Sequence, residues 1–151
     1  MTGSCEPAPE LNRLACFIVT ADDERALISL VHSTRPGELI FIGNGRHDKT
    51  FANVVMFYFL ADRVPVSHWY HFDPGLQNSV DIQREIINEL EANNTRIVVL
   101  DSRMDDMAEP NESARSSGVT LLDDYIAAHY QEFARFGTTV ELERRSRQRT
   151  R

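Results

Sequence analysis

Two short stretches bring together residue types that bind small anionic ligands. The first, Gly43-Asn44-Gly45-Arg46-His47-Asp48, follows the apolar run ELIFI at residues 38–42. The second, Asp101-Ser102-Arg103, follows the run RIVVL at residues 96–100. If both runs are central strands of an open α/β sheet, both loops lie at its carboxyl edge, where ligands of such sheets sit. Glycines at 43 and 45 would let backbone amides approach an anion, and Arg46 offers a planar two-pronged donor for phosphate. The candidate ligand-binding set is therefore Gly43, Asn44, Gly45, Arg46, His47, Asp48, Asp101 and Arg103. The spacing is neither GxGxxG nor a P-loop, which ends in Lys-Ser/Thr. A glycine turn carrying a surface Arg-His-Asp salt-bridge cluster explains the first loop equally well.

Other constellations are weaker. His47 and Asp48 would make a general-base pair, but no Ser or Cys stands in a recognised nucleophile elbow. His68 and His71, on the expected strand 65–72, would point to opposite faces and so cannot chelate one metal. Asp105-Asp106 lies in a polar loop and could hold a cation weakly. Asp123-Asp124 falls in a helical first turn, where acids complement the dipole without any catalytic task. Cys5 and Cys16 form no CxxC pair, so no zinc site is expected; a disulfide between them is permitted but not called for. No metal and no cofactor are expected.

The elements that must position these loops follow from periodicity. Residues 14–19 form a short apolar run with the character of an edge strand. Thr20 is a helix N-cap followed by Asp22, Asp23 and Glu24, and Ala26, Leu27, Leu30 and Val31 fall at helical spacing until Arg35-Pro36-Gly37 stops them. Residues 51–60 are apolar nearly all round and long enough for a buried helix. The aromatic run PVSHWYHF at 65–72 reads as a strand, ended by Asp73-Pro74-Gly75. Ser79 caps a helix with the apolar face Ile82, Ile86, Ile87 and Leu90, stopped at Asn93-Asn94. Residues 96–100 are the clearest central strand, being short and β-branched. A polar loop then runs to about residue 117, followed by an amphipathic helix on Leu121, Leu122, Tyr125, Ile126 and His129. Residues 133–143 close the chain as a hairpin turning near Gly137. Alternating strands and helices predict a small layered α/β sandwich with a mostly parallel central sheet and a C-terminal β-hairpin.

The organisation expected is a linker-like stretch at residues 1–13, one α/β domain over 14–143, and a basic disordered tail at 144–151. A chain of 151 residues suits a single domain. The net charge of −7 is unevenly placed: five arginines lie within residues 144–151, and without them 11 basic residues face 23 acidic ones. So acidic a body repels nucleic-acid phosphates, so no nucleic-acid partner is expected. No apolar run reaches the length of a membrane span, and no signal-peptide pattern opens the chain.

Residues 41–63 (FIGNGRHDKTFANVVMFYFLADR) and 115–137 (RSSGVTLLDDYIAAHYQEFARFG), with Asp73-Pro74-Gly75, Gln83-Arg84-Glu85-Ile86-Ile87 and Leu90 between them, carry a resemblance. In this order they resemble the C-terminal soluble segment of bacterial multi-pass membrane proteins related to protein mannosyltransferases and lipid A aminoarabinose transferases. The resemblance covers about residues 20–145. Thr138-Thr139 departs from it, since the family often has an aromatic there. Such proteins transfer a sugar from a polyprenyl-phosphate donor, using acids in loops of a membrane portion that this sequence does not contain. No catalytic residue carries over.

The resemblance implies a non-catalytic accessory domain that is inactive alone. Its partner would be the polytopic membrane portion of such a transferase, with glycan or lipid phosphate as ligand. It also implies an extracytoplasmic position against the membrane, whereas a chain made at this short length would stay in the cytoplasm. The alternative is an independent small α/β enzyme or nucleotide/phosphate-binding protein using the loop Gly43 to Asp48. A third reading takes the chain as an interaction module with the basic tail as its contact.

Overall fold

The computed structural model describes residues 10–14, 16–49, 52–73, 75–107 and 115–146. Its elements are a 3-10 turn (Asn12–Leu14), α1 (Ala21–Ser33), β1 (Leu39–Asn44), α2 (Met56–Ala61), β2 (Val64–Pro65), α3 (Val80–Ala92), β3 (Ile97–Asp101), α4 (Leu121–His129), β4 (Tyr130–Phe136) and β5 (Thr139–Arg144). The five strands form one sheet in the order β2-β1-β3-β5-β4. Both neighbours of β1 run parallel to it, and the β4–β5 hairpin joins β3 antiparallel. This is the expected α/β class, parallel at its centre and closed by the C-terminal hairpin.

Strand alternation divides the core between the two faces of the sheet. Ile40, Ile42, Ile97 and Val99 meet Ala26, Leu27 and Leu30 of α1 and Phe57, Tyr58 and Leu60 of α2. Phe41 and Val98 meet Ile82, Ile86 and Leu90 of α3 and Leu122 and Ile126 of α4. Each helix thus buries one apolar stripe, and β1 and β3, covered on both sides, are apolar along most of their length. Buried polar side chains interrupt this pattern, among them Gln83 of α3 and Glu141 of β5. Glu141 of β5 has no exposed surface and lies beneath α1, where Ser29 Oγ donates to its Oε2 at 2.6 Å; its Oε1 has no partner. Burial raises its carboxyl pKa to about 7.

The expected caps are present. Thr20 Oγ1 accepts from Asp23 N at 3.1 Å, and Asp23 Oδ2 accepts back from Thr20 N at 3.4 Å, a reciprocal capping box. Ser79 Oγ accepts from Ile82 N at 3.4 Å to open α3. Asn94, at φ 45°, follows the C-cap Asn93 of α3.

Several expectations need correction. Residues 16–19 form no strand; a 3-10 turn precedes them and tucks Leu14 into the α1–α2 core. Leu11, within the expected linker, is also buried there. Cys16 is disulfide-bonded, a state the sequence permitted. In the run 51–60 the helix spans only Met56–Ala61, with residues 52–54 non-helical. Residues 1–9, 51, 108–114 and 147–151, on which parts of the expected linker, helix, loop and tail fall, lie outside the described residues. Arg144, expected to begin the tail, is the last residue of β5.

The strand expected at 65–72 shrinks to Val64–Pro65. Pro65 has no amide hydrogen to offer the ladder. The groups on β1 that a longer strand would have paired go to side chains instead. Ile42 N donates to Tyr58 Oη at 2.8 Å, and Asn53 Nδ2 donates to Ile42 O at 2.7 Å. Residues 66–72 are thereby released to turn across the α3 side, where Val66 and Phe72 join the core. Arg63, just before β2, is buried by main-chain acceptors: Val31 O at 3.2 Å, Thr34 O at 3.0 Å and Ala61 O. Its guanidinium fastens the carbonyl-rich ends of α1 and α2 together.

Candidate functional site at the carboxyl ends of the central strands

The register sets Asn44 beside Asp101, the last residues of the parallel pair β1 and β3. Gly45 N donates to Asp101 O at 3.2 Å. The two candidate loops therefore leave the sheet side by side, as expected of neighbouring strands. Beyond that point they diverge to opposite faces, and each is neutralised within its own face.

On the α1 face, Asp101 is buried and is held by Arg103 Nε at 2.8 Å, Arg103 Nη2 at 2.7 Å, Arg103 N at 2.9 Å and Thr139 Oγ1 at 2.6 Å. Burial pushes its carboxyl up, but the Arg103 and Thr139 hydrogen bonds outweigh burial and leave it below the ordinary range. The same guanidinium reaches Asp23, donating through Nη1 at 3.3 Å and through Nη2. Arg103 therefore ties the capping box of α1 to the end of β3. Two carboxylates facing one guanidinium hold Arg103 above its ordinary value.

On the α3–α4 face, Arg46 grips Asp48 with two parallel bonds, Nε to Oδ1 at 2.7 Å and Nη2 to Oδ2 at 2.6 Å. The Arg46 hydrogen bond, reinforced by Ser116 Oγ, lowers the Asp48 carboxyl to about 2. The bidentate fork that would suit a phosphate is thus occupied by an internal carboxylate.

His47 does not pair with Asp48, the neighbour expected from spacing. Its ring is fully buried, and its Nδ1 lies 2.8 Å from Asp123 Oδ1, while its amide donates to Asp123 Oδ2 at 3.0 Å. The chain bends through residues 47–49, and the two side chains take different partners. With Nδ1 facing the Asp123 carboxyl group, Nε2 is the nitrogen left without a partner. Phe41 and Phe72 flank the imidazole at centroid distances of 5.9 and 5.7 Å. A Cβ built on Gly43 would lie 2.5 Å from His47 Nε2 and 2.7 Å from Phe41 Cε1. Gly43 is required by this close approach of ring to strand, and Nε2 is turned into the protein rather than into a cleft.

Gln83 completes the arrangement. Fully buried on α3, it donates to His47 O at 2.8 Å and Val119 O at 3.0 Å, and its Oε1 accepts Leu122 N at 3.0 Å. It supplies the start of α4 with the acceptor that Thr120 does not provide. Asp105 lies beside Gly45, whose added Cβ would meet its Oδ2 at 2.4 Å; burial raises this carboxyl to about 6.

All eight candidate residues lie at or just beyond the carboxyl ends of β1 and β3, whose adjacency the sequence left open, and the groups that hold them (Asp23, Gln83, Ser116 and Asp123) were not among the candidates. Asp123 was read as a dipole partner only, although it also clamps His47. Gln83 carried a signal, being a polar residue beside Ile82 on the apolar stripe of α3. The histidines of the expected HxxH pair separate, with His68 Nδ1 2.7 Å from Glu89 and His71 Nδ1 3.5 Å from Asp73. Among the described residues no group of three or more His, Cys, Asp or Glu is placed to hold a metal ion. Among them, too, no helix is long and apolar enough to cross a membrane.

No protein-family model matches the chain, and no curated protein matches it. Among solved structures it is similar to the C-terminal globular domain of an oligosaccharyltransferase from Archaeoglobus fulgidus, with a TM-score of 0.46 and 14% identity over 85% of this chain and 100% of that one. A likeness of this size carries no argument about function.

Proposed function

We propose that this chain is a non-catalytic accessory domain of a polyprenyl-phosphate-sugar-dependent membrane glycosyltransferase, lying outside the cytoplasm against the transferase's membrane portion. The observation that carries the proposal is the use to which the family-like residues are put. The two stretches that resemble the family, 41–63 and 115–137, meet through His47 and Asp123 at 2.8 Å. Arg46 and Asp48 bind each other, and Arg63 binds main-chain carbonyls. Tyr125 and Tyr130 present their hydroxyls to Arg144 at 2.8 and 3.0 Å. The His47–Asp123 pair joins elements far apart in sequence, and side chains spent on each other suit a scaffold rather than a reaction centre. The resemblance is then a record of one fold's internal bracing, and the sugar chemistry belongs to the membrane portion.

The disulfide at Cys16 supports the extracytoplasmic placement, because disulfides persist in oxidising compartments. The phosphate-binding alternative asks Arg46 to exchange a bidentate carboxylate for a ligand.

The deciding experiment is an immunoblot of fractionated native cells with an antibody against this domain. The proposal expects a band much larger than 17.2 kDa in the membrane fraction. A soluble band near that mass would refute it and would make the loop from Gly43 to Asp48 the place to seek a ligand.

A further inference from the structure

We infer that residues 104–107, which follow β3, form a pH-sensitive latch over the end of β1, seated while the Asp105 carboxyl is protonated and loosened when it ionises. The base of this loop is fixed. Ser102 N donates to Thr138 O at 3.1 Å, and Arg103 is bound to Asp101 and Asp23. Beyond Arg103 the main-chain bonds are local turns, Asp105 N to Ser102 O at 3.1 Å and Met107 N to Met104 O at 3.2 Å. The Asp105 side chain reaches from these turns onto the end of β1, where its Oδ2 occupies the space that a Cβ on Gly45 would need.

Such a seat suits a neutral carboxyl. Oδ1 is shut off from water and receives no hydrogen bond, so an ionised group would hold its charge there without solvent. The basic groups that face it are committed elsewhere: Arg46 grips Asp48 with both prongs, and His47 turns Nδ1 to Asp123. Burial is the largest influence on the carboxyl and pushes it up to about 6; the Gly45 amide, His47 and Arg46 pull it down, and Asp106 adds to the rise. Once the loop swings out, the carboxyl regains water and its ordinary value of 3.8. Between those two values the released form has lost a proton that the seated form keeps. Seating therefore weakens as pH rises, and the loss is complete above about 6. Two pH units bound the change in the ratio of seated to released loop at about a hundredfold. Release uncovers Gly45, so the carboxyl ends of β1 and β3 are more accessible at neutral pH than in acid. The latch needs neither membrane nor ligand and stands apart from the accessory-domain reading.

The test is amide hydrogen exchange of the full chain at about pH 4.5 and about pH 7.5, with rates corrected for the intrinsic pH dependence of exchange. Asp105 N and Met107 N are the hydrogen-bonded amides to follow. Glu141 weakens the whole fold over part of the same range, so the decisive quantity is the difference between wild type and Asp105→Asn. Protection of these amides should fall at least about tenfold in wild type and less than about threefold in the variant. The amides of β3 should change alike in both proteins, and a melting curve verifies the variant's fold. Equal falls in the two proteins, no fall in wild type, or no protection at the lower pH would overturn the inference. A second reading needs no variant: the carboxyl carbon of Asp105, followed by NMR in the wild-type chain, should titrate with a midpoint near 6. A midpoint below about 5 would mean a carboxyl that keeps its water while the loop is seated, and would overturn the latch by itself.

Discussion

Glutamate to glutamine at position 141 should make the protein more stable at neutral pH. The carboxyl has no exposed surface, receives one hydrogen bond from Ser29, and leaves Oε1 without a donor. Ionising it therefore costs more inside the protein than in the unfolded chain. Its pKa rises from 4.5 to about 7, and at 1.36 kcal/mol per pH unit the ionised form destabilises the fold by about 3 kcal/mol. The direction follows from the raised value. Between pH 4.5 and about 7 the unfolded state has lost this proton while the folded state keeps it, so stability falls as pH rises, and the loss is complete above about 7.

Glutamine cannot ionise, so this slope vanishes, although its amide nitrogen brings a small pH-independent cost of its own. The quantity to measure is a double difference: urea-unfolding free energies of wild type and Glu141→Gln, each at pH 4.5 and pH 8. The variant's advantage should grow by about 3 kcal/mol across that interval. Because the opposing contributions of Asp48, Asp23 and Asp101 are common to both proteins, they cancel. An advantage that does not change with pH would refute the reasoning, since it would mean that Glu141 ionises as readily inside as outside.

Two further outcomes follow from the candidate loops. Gly43→Ala places a methyl group 2.5 Å from His47 Nε2 and should cost about 1–3 kcal/mol by calorimetric melting. An unchanged melt would show that the imidazole is not pressed against β1. Asp123→Asn weakens both bonds to His47 and should cost about 1–3 kcal/mol, whereas Asp124→Asn, which touches only exposed Thr120, should stay within about 0.5 kcal/mol. Equal costs for the two would leave the His47 clamp without support.

The features legible in the sequence were those decided within one or two helical turns. Thr20 with Asp23, and Ser79 with its amide partner Ile82, are local caps whose chemistry spans three residues. The apolar runs of β1 and β3 pointed to buried strands, and with them to the position of the two loops. What the loops do was decided at long range. His47 and Asp123 lie 76 residues apart, and Asp23 and Arg103 lie 80 apart, so no window contains either pair. The strand expected at 65–72 failed for a related reason. Its aromatics are compatible with a strand, but the donors and acceptors of β1 had been taken by Tyr58 and Asn53. Glu141 was hidden by its strand, because Val140 and Leu142 suggest the inward face while β5 is covered on both.

Tyr58 and Asn53 have an effect beyond shortening β2. A sheet that stops after two residues on one side would ordinarily leave a ragged row of main-chain groups for a second molecule to extend. Here the row is closed from within: the hydroxyl takes the Ile42 amide, and the carboxamide covers the Ile42 carbonyl while also binding Tyr70 O at 2.8 Å. The opposite border, β4, has its register broken between Glu132 and Ala134 and carries the Glu132–Arg135 ion pair. Copies of this domain crowded side by side would therefore find no straight ladder to join. Crowding is the condition a chain tethered along a surface would meet, and the borders of this sheet favour remaining separate under it.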